Sequence, residues 1–436
     1  MKVQDIVGID FLLLLAAVTL TVFGVLFIYS SGLSSSGIQG STEYVKQIIW
    51  GASGLLIAVI IALIDYRRLQ SLSPYLYLGT LGLLLYTCMF GHTVNGARAW
   101  IGIGNFGIQP SEFAKITTIL FLGRYLDASK RKATSFIRFL LACTIVFIPM
   151  AIVLIQPDFG TSLVFIPILL VMTFIAGVSI KYIIFLGAFI AITAILMVLP
   201  LWQDHILKHA LPSIMVITNP RFIGMGVLAL SLIGILALVG FLLYKKGYFF
   251  WIVYGLGIII FSLGASYVAR KVLKDYQIMR LIVFLDPEVD PRGAGWNIIQ
   301  SVTAIGSGGL QGKGYLQGTH SHYRFLPQQS TDFIFSIFSE EWGLIGGMLV
   351  FILFLLIVLR LVRIMQIASD PFGAYITAGL SAMYSFHFLI NVGMAMGIMP
   401  ITGIPLLFMS YGGSALISAM TGIGLALSVY IRRLIR

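Results

Sequence analysis

An all-α polytopic membrane protein is the fold class this sequence predicts, and three observations predict it. Of 436 residues, 59% are hydrophobic and only 10% are charged. Mean hydropathy is +1.00, outside the range of soluble globular chains. Apolar stretches recur at 8–30, 45–64, 74–90, 113–127, 136–155, 160–179, 182–200, 222–244, 248–268, 332–359, 372–396 and 405–430. Each is near the length of about 20 residues that an α-helix needs to cross a bilayer. The count is about twelve transmembrane helices.

Taken in order, the first stretch lacks a small-residue cleavage site and reads as a retained helix. Cys88 and Cys143 both lie in apolar stretches and form neither a disulfide framework nor a metal pattern. The fourth stretch is short and carries Lys115 and Arg124. Charge sets the orientation. With the N-terminus in the cytoplasm and strict alternation, the inner segments hold sixteen of the 28 basic residues. These are Lys2, Arg67, Arg68, Arg124, Lys130, Arg131, Lys132, Arg138, Lys181, Lys245, Lys246, Arg360, Arg363, Arg432, Arg433 and Arg436. The short outer segments hold only Lys46, Arg98, Lys115, Lys208 and Arg221. Both termini are therefore expected in the cytoplasm, and 269–331 is a large extracytoplasmic loop, long enough to translocate whatever its charge. The net charge of +12 belongs to those basic inner loops and does not indicate nucleic acid.

Four outer segments are unusual. Gly96–Lys115 is too glycine-rich to span and too apolar for an ordinary loop, so a re-entrant or interfacial segment fits. Gln156–Ser162 places Asp158 at a proline-broken junction. Pro400–Ser414 is a Pro/Gly-interrupted lead into the last helix. Asp286–Gln300 gathers Asp286, Glu288 and Asp290, then Arg292 and two glycines.

Each candidate has a bland reading beside the functional one. Asp290 is a base presented on a Pro/Gly turn, or a solvated carboxylate capping that turn. Asp286 is its rival, and Glu288 reads as a surface charge. Asp158 fits an N-cap as well as a cavity. Glu112 and Lys115, three apart, share a helix face as an ion pair or line a polar cavity. Arg98, Arg292 and Lys313 are cations that could clamp a pyrophosphate or meet lipid headgroups. Trp100 is an interface anchor or the wall of a sugar site. His320 and His322 lack a third metal ligand. Glu340 and Glu341 lie inside a span, where at least one should face a polar cavity. Ser410, Tyr411, Gly412, Gly413 and Ser414 suit close helix packing as readily as substrate contact. No phosphate-cradling loop, dinucleotide fingerprint or internal repeat is present.

Six motifs then carry a resemblance. They are G-A-R-A-W-I, Q-P-S-E-F-A-K, Q-P-D-F-G-T-S, D-P-R-G-A-G-W, F-L-P-Q-Q-S-T-D-F-I-F with S-E-E-W-G, and T-G-I-P-L-L-F-M-S-Y-G-G-S, in order between residues 96 and 414. The set is similar to the SEDS family (RodA, FtsW and SpoVE) of bacterial wall synthesis. L-D-P-E-V-D-P-R-G-A-G-W-N-I-I-Q-S and G-T-H-S-H-Y-R-F-L-P look more like the RodA branch, which serves elongation and cell shape.

The resemblance implies a single membrane domain, 1–436, that polymerises lipid II into peptidoglycan. That domain would lie in the bacterial cytoplasmic (inner) membrane, its catalytic loop at 269–331. It implies a class B penicillin-binding protein as partner, beside lipid II and membrane lipids. The family's usual ten helices make 205–268 a two-helix insertion. The frequent G-A-R-R-W-I is here G-A-R-A-W-I, with one basic residue fewer. Asp290 falls where the family's D-P-x-G-x-G segment places its catalytic carboxylate. Arg98, Trp100, Glu112, Lys115, Asp158, Arg292 and Lys313 become substrate-site candidates. Turning an α-linked pyrophosphate into a β-1,4 link is a single inversion, so one carboxylate base suffices. The cofactor is unknown; outer carboxylates could hold Mg²⁺ or Mn²⁺. A lipid II transporter and a membrane scaffold are the alternatives. A transporter should show repeat symmetry and midplane polar groups.

Overall fold

The structure is a computed structural model that describes residues 8–34, 38–94, 96–103, 106–132, 134–203, 214, 219–272, 275–291, 293–323 and 325–434. Arg292 lies outside them, as do Lys2, Lys208, Lys274, Arg324 and Arg436. In chain order the helices are α1 (Phe11–Ser31), α2 (Glu43–Leu63), α3 (Tyr66–Phe90), α4 (Pro110–Ala128), α5 (Phe136–Ile155), α6 (Phe159–Leu163), α7 (Phe165–Ile175), α8 (Ile180–Trp202), α9 (Pro220–Tyr244), α10 (Gly247–Val272), α11 (Asp275–Leu285), α12 (Ala294–Ser307), α13 (Thr319–His322), α14 (Ile334–Ile367), α15 (Pro371–Ala395) and α16 (Gly413–Ile431). Among the described residues, nine are long and apolar enough to cross a membrane: α1, α2, α3, α5, α8, α9, α10, α14 and α16. The remaining expected spans fall on α4, on the broken α6–α7 pair, and on α15. In α4, Glu112, Lys115, Arg124 and Asp127 interrupt the apolar run.

Two of the segments expected outside the spans carry secondary structure. The segment from Gly96 is not irregular backbone: β1 (His92–Val94), β2 (Ala97–Ile103) and β3 (Phe106–Ile108) form an antiparallel sheet in that order. Strand pairing satisfies the backbone groups that a bare re-entrant loop would leave open. The expected loop 269–331 carries the helices α11, α12 and α13. In α11 the apolar spacing of Ile278, Leu281, Ile282 and Leu285 is that of an amphipathic helix.

The chain divides into two units, residues 1–178 with 297–436, and residues 179–296. In the first, α16 runs along α2, α14 against α15 and α1, and α3 against α4. About the most hydrophobic window of α16, 72% is buried, so it is a core helix of this unit. One end of the unit is tied by charge. Arg360 pairs with Asp10 at 2.7 Å and Arg67 with Asp370 at 3.2 Å. Fully buried Arg138 donates to Leu126 O (2.7 Å), Ala176 O (3.0 Å) and Ser129 Oγ (2.9 Å), so one guanidinium serves the C-terminal ends of α4 and α7. In the second unit α10 packs on both α8 and α9, and α11 on α8. The pair α9–α10 occupies the described part of the expected insertion.

One break organises the first unit. Inside α14, Gly343 adopts φ 63°, ψ −160°, a conformation open essentially to glycine alone. The break opens the helical ladder around it. Segment 309–314 fills the gap: Lys313 N–H donates to Glu340 O (3.1 Å) and Gly314 N–H to Glu341 O (2.9 Å). In return Leu344 N–H donates to Gly309 O (2.9 Å) and Ile345 N–H to Leu310 O (3.2 Å). A Cβ on Gly343 would collide with Gly312 N and Leu310 O. We therefore expect Gly343→Ala to destabilise the protein by about 1–3 kcal/mol. The thermal unfolding midpoint of the detergent-solubilised protein measures this, and an unchanged midpoint would refute a tightly built seam.

Candidate active site

The end of the first unit opposite Arg138 gathers its polar side chains. Pro110 begins α4 as a residue that lacks an N–H to lose. The first turns then bury Glu112 and Lys115. Lys115 Nζ sits 2.9 Å from Glu112 Oε1, with both side chains at most 2% exposed. Its second partner is His387 Nε2 on α15, at 3.0 Å. His387 Nδ1 lies 3.1 Å from Pro405 O. A carbonyl only accepts, so Nδ1 carries the proton and Nε2 accepts from the lysine. The imidazole is thereby a neutral second acceptor for a buried cation.

Asp158 joins the same layer. It is the N-cap of α6, accepting from Thr161 N–H at 3.1 Å, as the bland reading expected. Its other oxygen accepts from Gln109 Nε2 at 2.7 Å. Burial pushes its carboxyl above the ordinary range, and the Thr161 bonds oppose that. Gln109 N–H donates to Ser414 Oγ (2.9 Å), and Ser418 Oγ to Glu112 O (2.9 Å), so α16 holds the start of α4. Asn391 Nδ2 clamps Ile404 O (2.8 Å) and Asp332 O (2.9 Å). Among the described residues, the buried oxygens Glu112 Oε2, Asn391 Oδ1 and Thr402 Oγ1 take no hydrogen bond. Such acceptors are costly when dry and could receive donors from a polar occupant.

Asp290 lies in the second unit, on the turn between α11 and α12. Asp286 Oδ1 accepts from Glu288 N–H at 3.0 Å and caps the single 3₁₀ turn Pro287–Val289. Its carboxylate is thus used locally, as an Asp-Pro turn demands, while Glu288 is exposed. Asp290 follows that turn, half-buried. Its carbonyl accepts from Gly295 N–H at 3.1 Å. A Cβ at Gly293 would collide with the Asp290 carboxylate, and one at Gly295 with Pro287 O. Gly295 is required by the close approach of backbone carbonyls in this turn, whereas a side chain at Gly293 would push the Asp290 carboxylate from its place.

The other candidates separate. Arg98 is exposed on β2 and donates Nε–H to Gly91 O at 2.9 Å. Trp100, two residues on but across a register shift in the β1–β2 pairing, packs over Gly107: a Cβ there would lie 2.8 Å from its ring. Lys313 is committed to Glu340 at 2.6 Å and to Thr319 Oγ1 at 2.7 Å. Glu340 also accepts from the N–H groups of Thr319 (2.9 Å) and His320 (3.1 Å). Glu341 accepts from Ser30 Oγ and Leu316 N–H. The two acids thus hold the 313–320 segment against α14. In the last motif Gly413 packs against the Trp50 indole, and Gln47 Nε2 donates to Ser410 O at 3.1 Å. His320 Nδ1 meets Gln300 Oε1 at 3.2 Å. Among the described residues no three His, Cys, Asp or Glu side chains gather as a metal site.

His387, Gln109 and Asn391 escaped the sequence reading. The signal was there for two of them: His387 and Asn391 lie four apart inside the expected span 372–396, on one helical face, and polar groups within spans are costly.

Comparisons with known proteins agree with this architecture. The FtsW/RodA/SpoVE model, described as a cell cycle protein, matches residues 10–210 and 202–433. The chain is 49% identical to the peptidoglycan glycosyltransferase RodA of Treponema pallidum over 100% of both chains. It is 33% identical to the peptidoglycan glycosyltransferase MrdB of Escherichia coli K12, over 98% of this chain and 95% of that one. Among solved structures it is similar to a chain from work on the structural coordination of polymerization and crosslinking by a peptidoglycan synthase complex. That match has TM-score 0.66 and 25% identity, and covers 98% and 99% of the two chains. The Thermus thermophilus rod shape determining protein RodA shares the fold, with TM-score 0.59 and 22% identity over 98% and 97%.

The buried pair yields a double-mutant prediction. Glu112→Gln leaves the Lys115 ammonium facing a neutral amide and should cost about 3–5 kcal/mol. Combining it with Lys115→Met removes the buried charge, and the double variant should be more stable than Glu112→Gln alone. Thermal unfolding of all four proteins reads this out; additive losses would mean that the pair is uncoupled.

Proposed function

The chain belongs to the FtsW/RodA/SpoVE family, and from that premise we propose how it works as a peptidoglycan glycosyltransferase. The substrate is lipid II, a disaccharide-peptide on a polyprenyl pyrophosphate. The protein is an integral membrane protein. We place it in the bacterial cytoplasmic (inner) membrane with its chemistry on the outer face, as the basic inner loops suggest.

In the reaction a sugar hydroxyl attacks the anomeric carbon of the second chain. The new C–O bond forms as the bond to pyrophosphate breaks, with inversion. The hydroxyl proton passes to Asp290, the general base. The observation that carries this is the Asp290 turn. Its neighbour Asp286 is occupied as a cap, Glu288 is exposed, and Gly295 lets the turn close on the Asp290 carbonyl while Gly293 leaves room for its carboxylate. Arg98 supplies positive charge for the departing pyrophosphate, with Arg292 as a second cation by its place in the motif. Trp100 is a candidate sugar wall. Lys313 suits the clamp less well, because Glu340 already neutralises it. Glu112, Lys115 and Asp158 act by building the polar layer at the start of α4.

A class B penicillin-binding protein is the proposed partner. Supporting it is the likeness to a chain of a peptidoglycan synthase complex that coordinates polymerization and crosslinking. The described pair α9–α10 within 205–268 remains our proposed addition to a ten-helix core.

Reconstituted with such a partner, the wild-type chain should convert lipid II into glycan. Asp290→Asn should lower the rate by at least about a hundredfold, the usual worth of a general base, with the complex still assembled. Asp286→Asn should keep most of the activity. Full polymerisation by Asp290→Asn would remove the base from Asp290. Lipid II translocation without polymerisation by the wild type would instead favour a carrier. Separately, Arg98→Gln should raise the KM for lipid II about tenfold or more, as loss of one charge-assisted phosphate contact implies. An unchanged KM would free Arg98 from the pyrophosphate role.

A further inference from the structure

Three helix ends of the second unit meet around a group of lysines. The helices α8, α9 and α10 are each long and apolar enough to span a bilayer, so their ends lie at headgroup depth. Lys245 and Lys246 form the turn between α9 and α10, and Lys245 takes the left-handed conformation, φ 51°. Its N–H closes onto Phe241 O at 2.8 Å. Both lysines are exposed. Lys181, in the first turn of α8, reaches the same end. Its Nζ is 4.9 Å from the centre of the Phe250 ring and 5.7 Å from that of Trp251. Tyr254 Oη–H donates to Lys181 O at 2.6 Å and fixes that turn on α10.

What this cluster lacks is a counter-charge. Among the described residues none of the three lysines makes an ion pair. Between Ser179 and Lys271 the sequence holds one acidic residue, Asp204, which follows the other end of α8. Two helix N-termini, those of α8 and α10, add partial positive charge at this end, offset in part by the C-terminus of α9. The rings beside Lys181 hold its ammonium at the apolar boundary, where a ring face is a weak partner and a phosphate a strong one.

We propose that Lys181, Lys245 and Lys246 form a binding site for the phosphate headgroup of an anionic phospholipid. Phe250 and Trp251 pack on its glycerol and upper acyl region. The occupant is a membrane lipid, because the lysines crown a hairpin whose exposed flanks are apolar and of membrane-spanning length. The site anchors one end of the α9–α10 pair to anionic regions of the bilayer. It is independent of the glycosyl-transfer assignment.

The test uses the full-length purified protein. Native mass spectrometry counts lipids retained on titration with phosphatidylglycerol, cardiolipin or phosphatidylcholine, each with and without millimolar inorganic phosphate. Wild type should retain the anionic lipids and not phosphatidylcholine. Lys181→Gln/Lys245→Gln/Lys246→Gln should weaken retention by about a hundredfold, at roughly a fivefold factor per lysine. The triple Lys→Arg variant should keep it, which separates charge from folding. Lys130→Gln, at an exposed lysine that already has Asp127 at 3.7 Å, should behave as wild type. Equal retention by wild type and the triple Gln variant overturns the proposal. So does full displacement by inorganic phosphate, which would mark a free-anion site, and so does equal retention of phosphatidylcholine.

Discussion

A lysine ammonium with nowhere to go is the constraint around which the first unit is arranged. Lys115 is 1% exposed, in a helix whose other neighbours are apolar. Leaving it unpaired there is prohibitive, and pairing it with one carboxylate still leaves donors over. Glu112 supplies the charge and His387 a second acceptor. The histidine can accept only because Pro405 O takes the proton on its far side. That carbonyl is available because the chain before α16 is non-helical, broken by prolines and glycines. A single buried charge thus couples α4, α15 and the irregular lead into α16. Gln109, Ser414 and Ser418 extend the same layer to Asp158.

The second unit solves a different problem. Its three long helices are mostly apolar, and Asp286, Glu288 and Asp290 sit in one turn. There the constraint is steric. Gly295 lies so close to the backbone carbonyls of Pro287 and Asp290 that this turn has no room for a side chain there.

Much of this was legible in the residues, for physical reasons. Hydropathy finds spans because a bilayer demands length and apolarity, so every expected span coincides with a helix or a broken helix. Glu112–Lys115 and the Asp158 cap follow from helical spacing and cap chemistry, which are local. Three things were not local. The β-sheet at 92–108 depends on pairing between short strands, and Gly-rich alternation there resembles a loop. His387 meets Lys115 across 272 residues of sequence, and no periodicity carries that contact. Lys313 looked like a free cation because Glu340, its partner, reads as part of a distant span. At least one of the acids at 340 and 341 was expected to face a polar cavity; Glu341 lines a cavity with Gln311, Gly314 and Tyr315, while both acids also accept hydrogen bonds from the 313–320 segment.

That segment has a bearing on how the protein is made. Helix α14 contains 34 residues, about 51 Å at the usual rise, against a hydrocarbon core of about 30 Å. It cannot insert as one rod, and at Gly343 its own ladder opens. Groups opened at that depth find no water. The chain emerges N-terminus first, so residues 309–314 leave the ribosome before residues 340–345 do. The patch precedes the gap it must cover by about thirty residues. Biogenesis therefore never needs to hold the broken helix open while waiting for its complement: the complement is already outside when the break arrives.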